Sequence, residues 1–296
     1  MSPEPPPFVQ ADYPTSRLTT VGTGGPARWF ARPTDVAGLA DVLAWAEEEG
    51  LEVAVIGLGS NLLVADEGYD GVVIRLAGEL ARIERDGERI VCGGGASLAA
   101  IVKRATGWGL AGIEFGCAIP GTAGGAVRMN AGAYGGEMRD VLEEALVIGA
   151  GGGRRGGPNE LGMRYRRSAV APGEVVAEVV LALRPDDPER IRQTVSEMQR
   201  RRREAQPAKV RTFGSVWKNP DPERTAGRLL EECGLKGYAV GGARISPVHA
   251  NFIENHDGAR SADVIALMRE ARRRAHERGV DLEHEVQMLG PIALDL

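Results

Sequence analysis

The sequence predicts an α+β protein of three modules: a small α/β piece, a β-rich middle and an α+β C-terminal piece. Three observations carry that reading. Near the N-terminus two short strand-like runs flank a single helical period, and from Val72 to Leu183 short β-branched runs dominate. After Leu183 long helical periods return. With 296 residues the chain can bury a full core and divide into two or three domains.

The elements follow in order. The first 16 residues, MSPEPPPFVQADYPTS, are proline-rich without an apolar core, so they read as a loose tail and not a signal peptide. Ala27 to Ala31 is expected to form a strand. Thr34 is expected to cap a helix running to about Glu49, with Val36, Leu39, Leu43 and Ala46 on one face and Gly50 at its end. Glu52 to Ile56 reads as a buried strand running into GLGSNLL, residues 57–63. This glycine loop is half of a dinucleotide fingerprint: the third glycine is absent and no helical period follows. GWGLAG, Gly107 to Gly112, satisfies GxGxxG but follows the helical period of Ser97 to Ala105, so it reads as a helix end and turn.

Val72–Leu76, Arg89–Cys92, Ala145–Ile148 and Val175–Leu183 are expected strands, with Gly149–Gly157 a hairpin tip. Asp186, Asp187 and Pro188 open a helix to about Glu204, whose last turn carries Arg200 to Arg203 where cations suit the helix dipole. Further helices are expected from Thr225 to Cys233 and from Ser261, as cap, to Gly279. VDLEHEVQMLG then reads as a strand that returns to the first module. The boundaries drawn are a tail over 1–16, a first module over 17–70 joined by 286–296, a second over 71–204 and a third over 205–285.

Composition excludes several function classes. Hydrophobic residues make up 43% and charged ones 26%, as in ordinary globular proteins. A net charge of −5 argues against coating nucleic acid, while leaving room for a local basic pocket. Cys92, Cys117 and Cys233 form no CxxC pair, so neither a disulfide framework nor a zinc knuckle is expected, and a reducing cytoplasm fits. No apolar run of about 18 residues offers a membrane span. The four histidines, His249, His256, His276 and His284, lack metal-ligand spacing, so no metal is expected. GxxxxGK[ST] and GxSxG are both absent, which removes P-loop and serine-hydrolase chemistry.

The stretch around which the chain is organised is Gly116 to Gly136, GCAIPGTAGGAVRMNAGAYGG. Twelve of its 21 residues are glycine or alanine and its only charge is Arg128. So few side chains leave peptide N–H groups to line a space filled by something else, and such groups suit phosphates. With residues 57–63 it makes two phosphate-cradling loops, which together call for a large ligand carrying a diphosphate. The polar candidates for chemistry are Tyr165, Arg166, Ser215, Asn219 and Glu285, which sequence alone does not bring together.

Eight blocks in one order, TVGTGGPA, GLGSNLL, IPGTAGGAVRMNAGAYGGE, YRRS, GSVWKNP, AGRLLEECGLKG, GGARISPVHANFI and LEHEV, resemble the UDP-N-acetylenolpyruvoylglucosamine reductase family. The resemblance implies an FAD-binding fold of the vanillyl-alcohol-oxidase (PCMH) type in two subdomains, plus a C-terminal substrate-binding domain. It implies an FAD-containing, NADPH-dependent oxidoreductase of bacterial cytoplasm that makes UDP-N-acetylmuramate for peptidoglycan. FAD would lie against Gly57, Leu58, Gly59, Ser60, Asn61 and Leu62, and against Ile119, Pro120, Gly121, Thr122, Gly124, Gly125, Asn130, Ala131 and Gly132. By motif, the catalytic set falls at Arg166, Ser215 and Glu285, and Tyr134, Tyr165, Lys218, Asn219 and His249 lie near the substrate. No metal, nucleic acid, membrane or obligate protein partner is implied. Two departures stand out: the second arginine of YRRS and His284 within LEHEV. No tyrosine-bearing insertion follows Arg184, which resembles the shorter form of the family.

Overall fold

A computed structural model describes residues 4–221 and 223–294. Contacts divide the chain into two compact units, the first comprising residues up to Ala11, Trp29–Leu58 and Gly71–Arg202. The second comprises Asp12–Arg28, Gly59–Asp70 and the chain from Arg203 onward.

Most of two sheets falls in the first unit. One is four-stranded, in the order Val9–Pro14, Pro26–Ala31, Tyr69–Ile74, Glu52–Val55, and its last two strands pair in parallel. A parallel pair needs a crossover, here residues 56–68 with the glycine loop and strand Leu62–Val64, and α1 (Val36–Glu48) precedes the pair, between Pro26–Ala31 and Glu52–Val55. Its Leu39, Val42, Leu43 and Ala46 are buried against Val72 and Ile74. The second sheet is antiparallel, in the order Gly152–Gly156, Leu142–Gly149, Val175–Ala182, Arg89–Gly93, Ile83–Asp86. On it lie α2 (Leu98–Gly107) and α3 (Ala123–Met129), sharing one core with Val176, Val179 and Leu181.

Helix α4 (Pro188–Ala205) carries the chain from the first unit into the second. There an antiparallel sheet runs in the order Arg211–Ser215, Phe252–Asn255, Ala243–Ile245, Ala239–Val240. Helices α5 (Ala226–Glu232) and α6 (Ser261–His276) close its core through Leu229, Leu230, Val264, Leu267 and Met268. Gln287–Leu289 pairs in parallel with Leu62–Val64 inside the same unit. Among the described residues no helix is long and apolar enough to cross a membrane.

Several local expectations are corrected. The segment read as a loose tail contains strand Val9–Pro14, because the alternation after the prolines suits sheet pairing and Phe8 packs beside Gly38. Its residues 1–3 lie outside the described residues. The cap of α1 is Asp35, which accepts from the Gly38 N–H at 2.8 Å, and not Thr34. Ser261 begins α6 but does not cap it: the hydroxyl is buried and donates to the Val64 carbonyl at 2.6 Å. The first α6 amides bond instead to Asp66, at 2.9 Å for Ser261 and 3.0 Å for Ala262. Within the expected hairpin tip, Gly152–Gly156 is a strand, its Arg154 and Arg155 held by Glu174, Glu144 and Glu178. Only Gln287–Leu289 of VDLEHEVQMLG is a strand. The preceding residues pair irregularly with Val216–Lys218, through Lys218 N–H to the Glu283 carbonyl and Glu285 N–H to the Val216 carbonyl, both 2.9 Å.

Candidate active site

The first unit contains a cavity of about 280 Å³. Gly57 and Leu58 line it from the end of Glu52–Val55, Gly94 and Gly95 from the end of Arg89–Gly93, and Thr122, Gly124 and Gly125 from the start of α3. Glycine is required where these segments meet. A Cβ at Gly94 would lie 1.7 Å from the Val176 carbonyl oxygen, and one at Gly57 would lie 2.5 Å from Thr122 Oγ1. Gly125 differs: its Cβ would meet only Thr122 Oγ1, at 3.5 Å, so the protein itself leaves room for a side chain there. Arg32, Arg75 and Arg128 add three guanidiniums to the walls, with Glu174 the carboxylate among the lining groups.

Beyond α3 the glycine stretch makes a hairpin in which Gly132–Ala133 pairs with Glu137–Gly136. Its two-residue tip, Tyr134 and Gly135, has φ of 52° and 85°. Such a turn needs two residues at positive φ, and a tyrosine there is strained by roughly 1–3 kcal/mol, a cost associated with functional sites. YRRS makes a second tight turn. Arg164 and Arg167 exchange backbone hydrogen bonds of 2.8 and 3.0 Å, leaving Tyr165 and Arg166 at the tip, with Arg166 at φ 53°. The Arg166 guanidinium donates to the Gly132 carbonyl at 2.7 Å and lies 5.1 Å from the Tyr165 ring centroid. Asn130 ties the two turns together. Fully buried, it donates to the Arg164 carbonyl and accepts from the Arg139 N–H, both at 3.0 Å. Arg166, Tyr165, Tyr134 and Gly132 therefore form one cluster of this unit.

Ser215 and Glu285 belong to the second unit, on segments bridged by the Glu285–Val216 hydrogen bond. Asn61 of the first glycine loop donates from its amide to the Glu285 carbonyl at 2.8 Å and accepts the Gln287 N–H at 3.0 Å. A Cβ at Gly214 would lie 3.4 Å from the Ser60 carbonyl, so Ser60, Asn61, Ser215 and Glu285 lie on adjoining backbone. Lys218 is paired with Glu283. Asn219 is set apart, its side-chain oxygen accepting the first α5 amide, from Ala226, at 3.1 Å. His249 packs on Phe252 and against Gly227, where a Cβ would lie 2.5 Å from the ring. Burial first, then the Lys236 charge, push its pKa below the usual histidine value. Nδ1 accepts from the Asn251 N–H at 3.1 Å, which leaves the proton of the neutral ring on Nε2.

A family model described as the UDP-N-acetylenolpyruvoylglucosamine reductase C-terminal domain matches residues 206–289, and an FAD binding domain model matches residues 27–154. UDP-N-acetylenolpyruvoylglucosamine reductase 2 of Symbiobacterium thermophilum is 46% identical over 285 residues, covering 95% of this chain and 92% of its own. The chain belongs to the UDP-N-acetylenolpyruvoylglucosamine reductase family. The reductase of Anaeromyxobacter dehalogenans is 45% identical over 96% of the chain and 86% of its own. The crystal structure of the Thermus caldophilus reductase superposes with a TM-score of 0.83 at 38% identity, covering 95% of this chain and 98% of that one. The fold is therefore α+β, an FAD-binding domain of the PCMH type followed by the family's C-terminal domain.

The cavity suits the cofactor that this family's fold carries. Glycine backbone from three segments lines it, and Arg32, Arg75 and Arg128 add cationic groups to its walls. The protein is thus an FAD-dependent oxidoreductase.

Sequence reasoning missed part of this candidate site. Gly94 and Gly95 close CGGG, a third glycine segment legible as a strand-end turn. Arg32 and Arg75 carry no local signal. Asn251 was read as part of a motif without a role, yet its buried amide makes both bonds to the Trp217 backbone, 2.9 Å from the N–H and 2.8 Å to the carbonyl. It thereby holds the segment that carries Ser215. Asn251→Ala leaves both groups unsatisfied and is expected to destabilise the protein by about 3 kcal/mol in urea unfolding; an unchanged midpoint would remove it from this role.

Proposed function

We propose that the protein reduces the enolpyruvyl ether of UDP-N-acetylglucosamine enolpyruvate to UDP-N-acetylmuramate, using NADPH and serving peptidoglycan precursor synthesis in the bacterial cytoplasm. When bound, FAD supplies the hydride that adds to the β-carbon of the ether, having taken it from NADPH. Arg166 and Glu285 bracket the substrate carboxylate and stabilise the charge that develops at the α-carbon. Ser215 delivers a proton to that carbon. Gly57–Leu62 and Ile119–Gly132 contribute to FAD binding, whereas Tyr134, Tyr165, Lys218, Asn219 and His249 hold the UDP-sugar.

The observation that carries this reading is the bonding within the second unit. Asn61 of the cofactor loop holds the Glu285 carbonyl, and the Glu285 N–H holds Val216, next to Ser215. A pure nucleotide-binding module has no use for a serine and a glutamate whose backbone is tied to its glycine loop. The test is NADPH oxidation with UDP-N-acetylglucosamine enolpyruvate against simple enol ethers lacking UDP. Turnover confined to the UDP-bearing ether is expected; none with it would refute the proposal.

Arg166→Lys tests the carboxylate clamp. An ammonium lacks the planar fork that spends one donor on Gly132 and presents others to a carboxylate. Turnover is expected to fall at least about a hundredfold, the scale of losing an oxyanion donor. Near-parental turnover would make Arg166 structural.

A further inference from the structure

We propose that Thr20 is a positioning residue: its backbone holds the glycine loop, its hydroxyl holds the strand that ends at Ser215, and together they fix where the serine stands relative to that loop. The inference rests on the proposed reduction. It gives a role to TVGTGGPA, a block of the sequence that neither the cavity nor the catalytic set uses.

TVGTGGPA begins at Thr20, between the turn Thr15–Arg17 and strand Pro26–Ala31. Its first residues are anchored in the second unit. Val21 is fully buried in one core with Leu63 and Phe213, and its carbonyl accepts from the Asn255 side chain at 2.9 Å. Gly22 packs on the Arg211 side chain, where a Cβ would lie 3.1 Å from Nη1. Thr20 itself reaches two ways. The Gly59 carbonyl of the glycine loop accepts from the Thr20 N–H at 3.0 Å. The Thr212 carbonyl of Arg211–Ser215 accepts from the Thr20 hydroxyl at 2.6 Å. That hydroxyl also lies 3.2 Å from the Gly59 carbonyl, but its one proton favours the shorter bond.

The strand depends on this hold. Arg211–Ser215 stands at the edge of its sheet, and its pairing with Phe252–Asn255 is irregular between Thr212 and Ser215. Gly214, at φ 83°, lies in that interval. A bulge disrupts the ladder and re-aims the side chains beyond it, so the direction of Ser215 depends on what fixes the strand before it. Thr20 fixes it at Thr212. Proton delivery tolerates little slack: a general acid must come within about 3 Å of its target, and a shift of about 1 Å costs about a hundredfold. The two links also separate chemically. Thr20 grips the loop through its backbone and the strand through its side chain, so a change of side chain loosens the strand and spares the loop. Thr20 is exposed, and such a change removes no core contact.

The test is anaerobic stopped-flow on the FAD-loaded enzyme, with FAD affinity measured beside it, for the parent, Thr20→Val and Thr20→Ser. Valine keeps the shape of threonine and loses the donor. Thr20→Val is expected to bleach with NADPH at the parental rate and to bind FAD within about twofold of the parent, since the Thr20 N–H still holds Gly59. Its reoxidation by UDP-N-acetylglucosamine enolpyruvate should slow about tenfold or more, with kcat falling and KM changing less than about threefold. Thr20→Ser keeps the donor and should reoxidise at close to the parental rate. A valine variant that reoxidises like the parent, slows in both half-reactions alike or loses its grip on FAD would overturn the role, as would a serine variant as slow as the valine one. Should valine prevent folding, Thr20→Ala, which adds no bulk, takes its place with the same expectations. A parent whose bleached flavin the enolpyruvyl ether does not reoxidise would instead overturn the proposed function, and the role of Thr20 with it.

Discussion

Ser215→Ala is expected to leave flavin bleaching by NADPH at the parental rate and to slow reoxidation by the enolpyruvyl substrate by two to four orders of magnitude. The split follows from where the proton is needed. Hydride transfer from NADPH asks nothing of a hydroxyl, whereas protonation of the α-carbon loses a positioned general acid, typically worth about 10²–10⁴. Ser215 is partly buried at the end of Arg211–Ser215, opposite Phe252 in the sheet register. Loss of one hydroxyl there removes no core contact, so the melting temperature should stay within a degree or two. Anaerobic stopped-flow at the flavin absorbance separates the two half-reactions. Equal reoxidation rates in variant and parent would take Ser215 out of the mechanism.

Gly59→Ala should be the most damaging small substitution in the cofactor loop. Gly59 has φ 67°, and a Cβ there would lie 1.8 Å from the Leu18 carbonyl oxygen and 2.8 Å from its carbon. Both obstacles are backbone, held because the Gly59 carbonyl accepts from the Thr20 N–H at 3.0 Å and the Thr20 hydroxyl at 3.2 Å. Relief requires moving the 18–20 turn off the loop. With the left-handed strain added, the cost should be about 4 kcal/mol or more, a drop in melting temperature of roughly 10 °C. Thermal unfolding at saturating FAD and without it separates this loss from weakened binding, since a purely ligand-mediated effect vanishes in its absence. Gly125→Ala is the control: alanine favours the helix by about 1 kcal/mol over glycine and meets no obstruction. It should retain the melting temperature of the FAD-free protein while weakening FAD. A Gly59→Ala variant that melts like the parent would show that the loop shifts freely.

Much of the fold was legible because its signals are local. The helical periods of α1, α2, α5 and α6 and the β-branched runs each depend on neighbours within a few residues. GWGLAG was correctly set aside, since Gly109, at φ 67°, ends α2. The errors fell where two adjacent residues compete for one role. Thr34 and Asp35 can both cap, and the choice went to Asp35 while the Thr34 carbonyl accepted the distant Glu79 N–H at 2.8 Å. Ser261 looked like a cap because of its type, but its hydroxyl is spent on Val64 and Thr23.

The sequence by itself determined the family, the glycine loops and the chemical types of the candidate catalytic groups, because each is written in contiguous motifs whose turns need glycine or a short polar side chain. Only the tertiary structure decided that α3 begins inside the long glycine stretch, that CGGG forms a third side of the cavity, and that Asn251 anchors the strand end bearing Ser215. It also gathered Arg32, Arg75 and Arg128 around one space. Those three are far apart in the chain, and sheet pairing with helix packing sets their separation, so no local pattern encodes it.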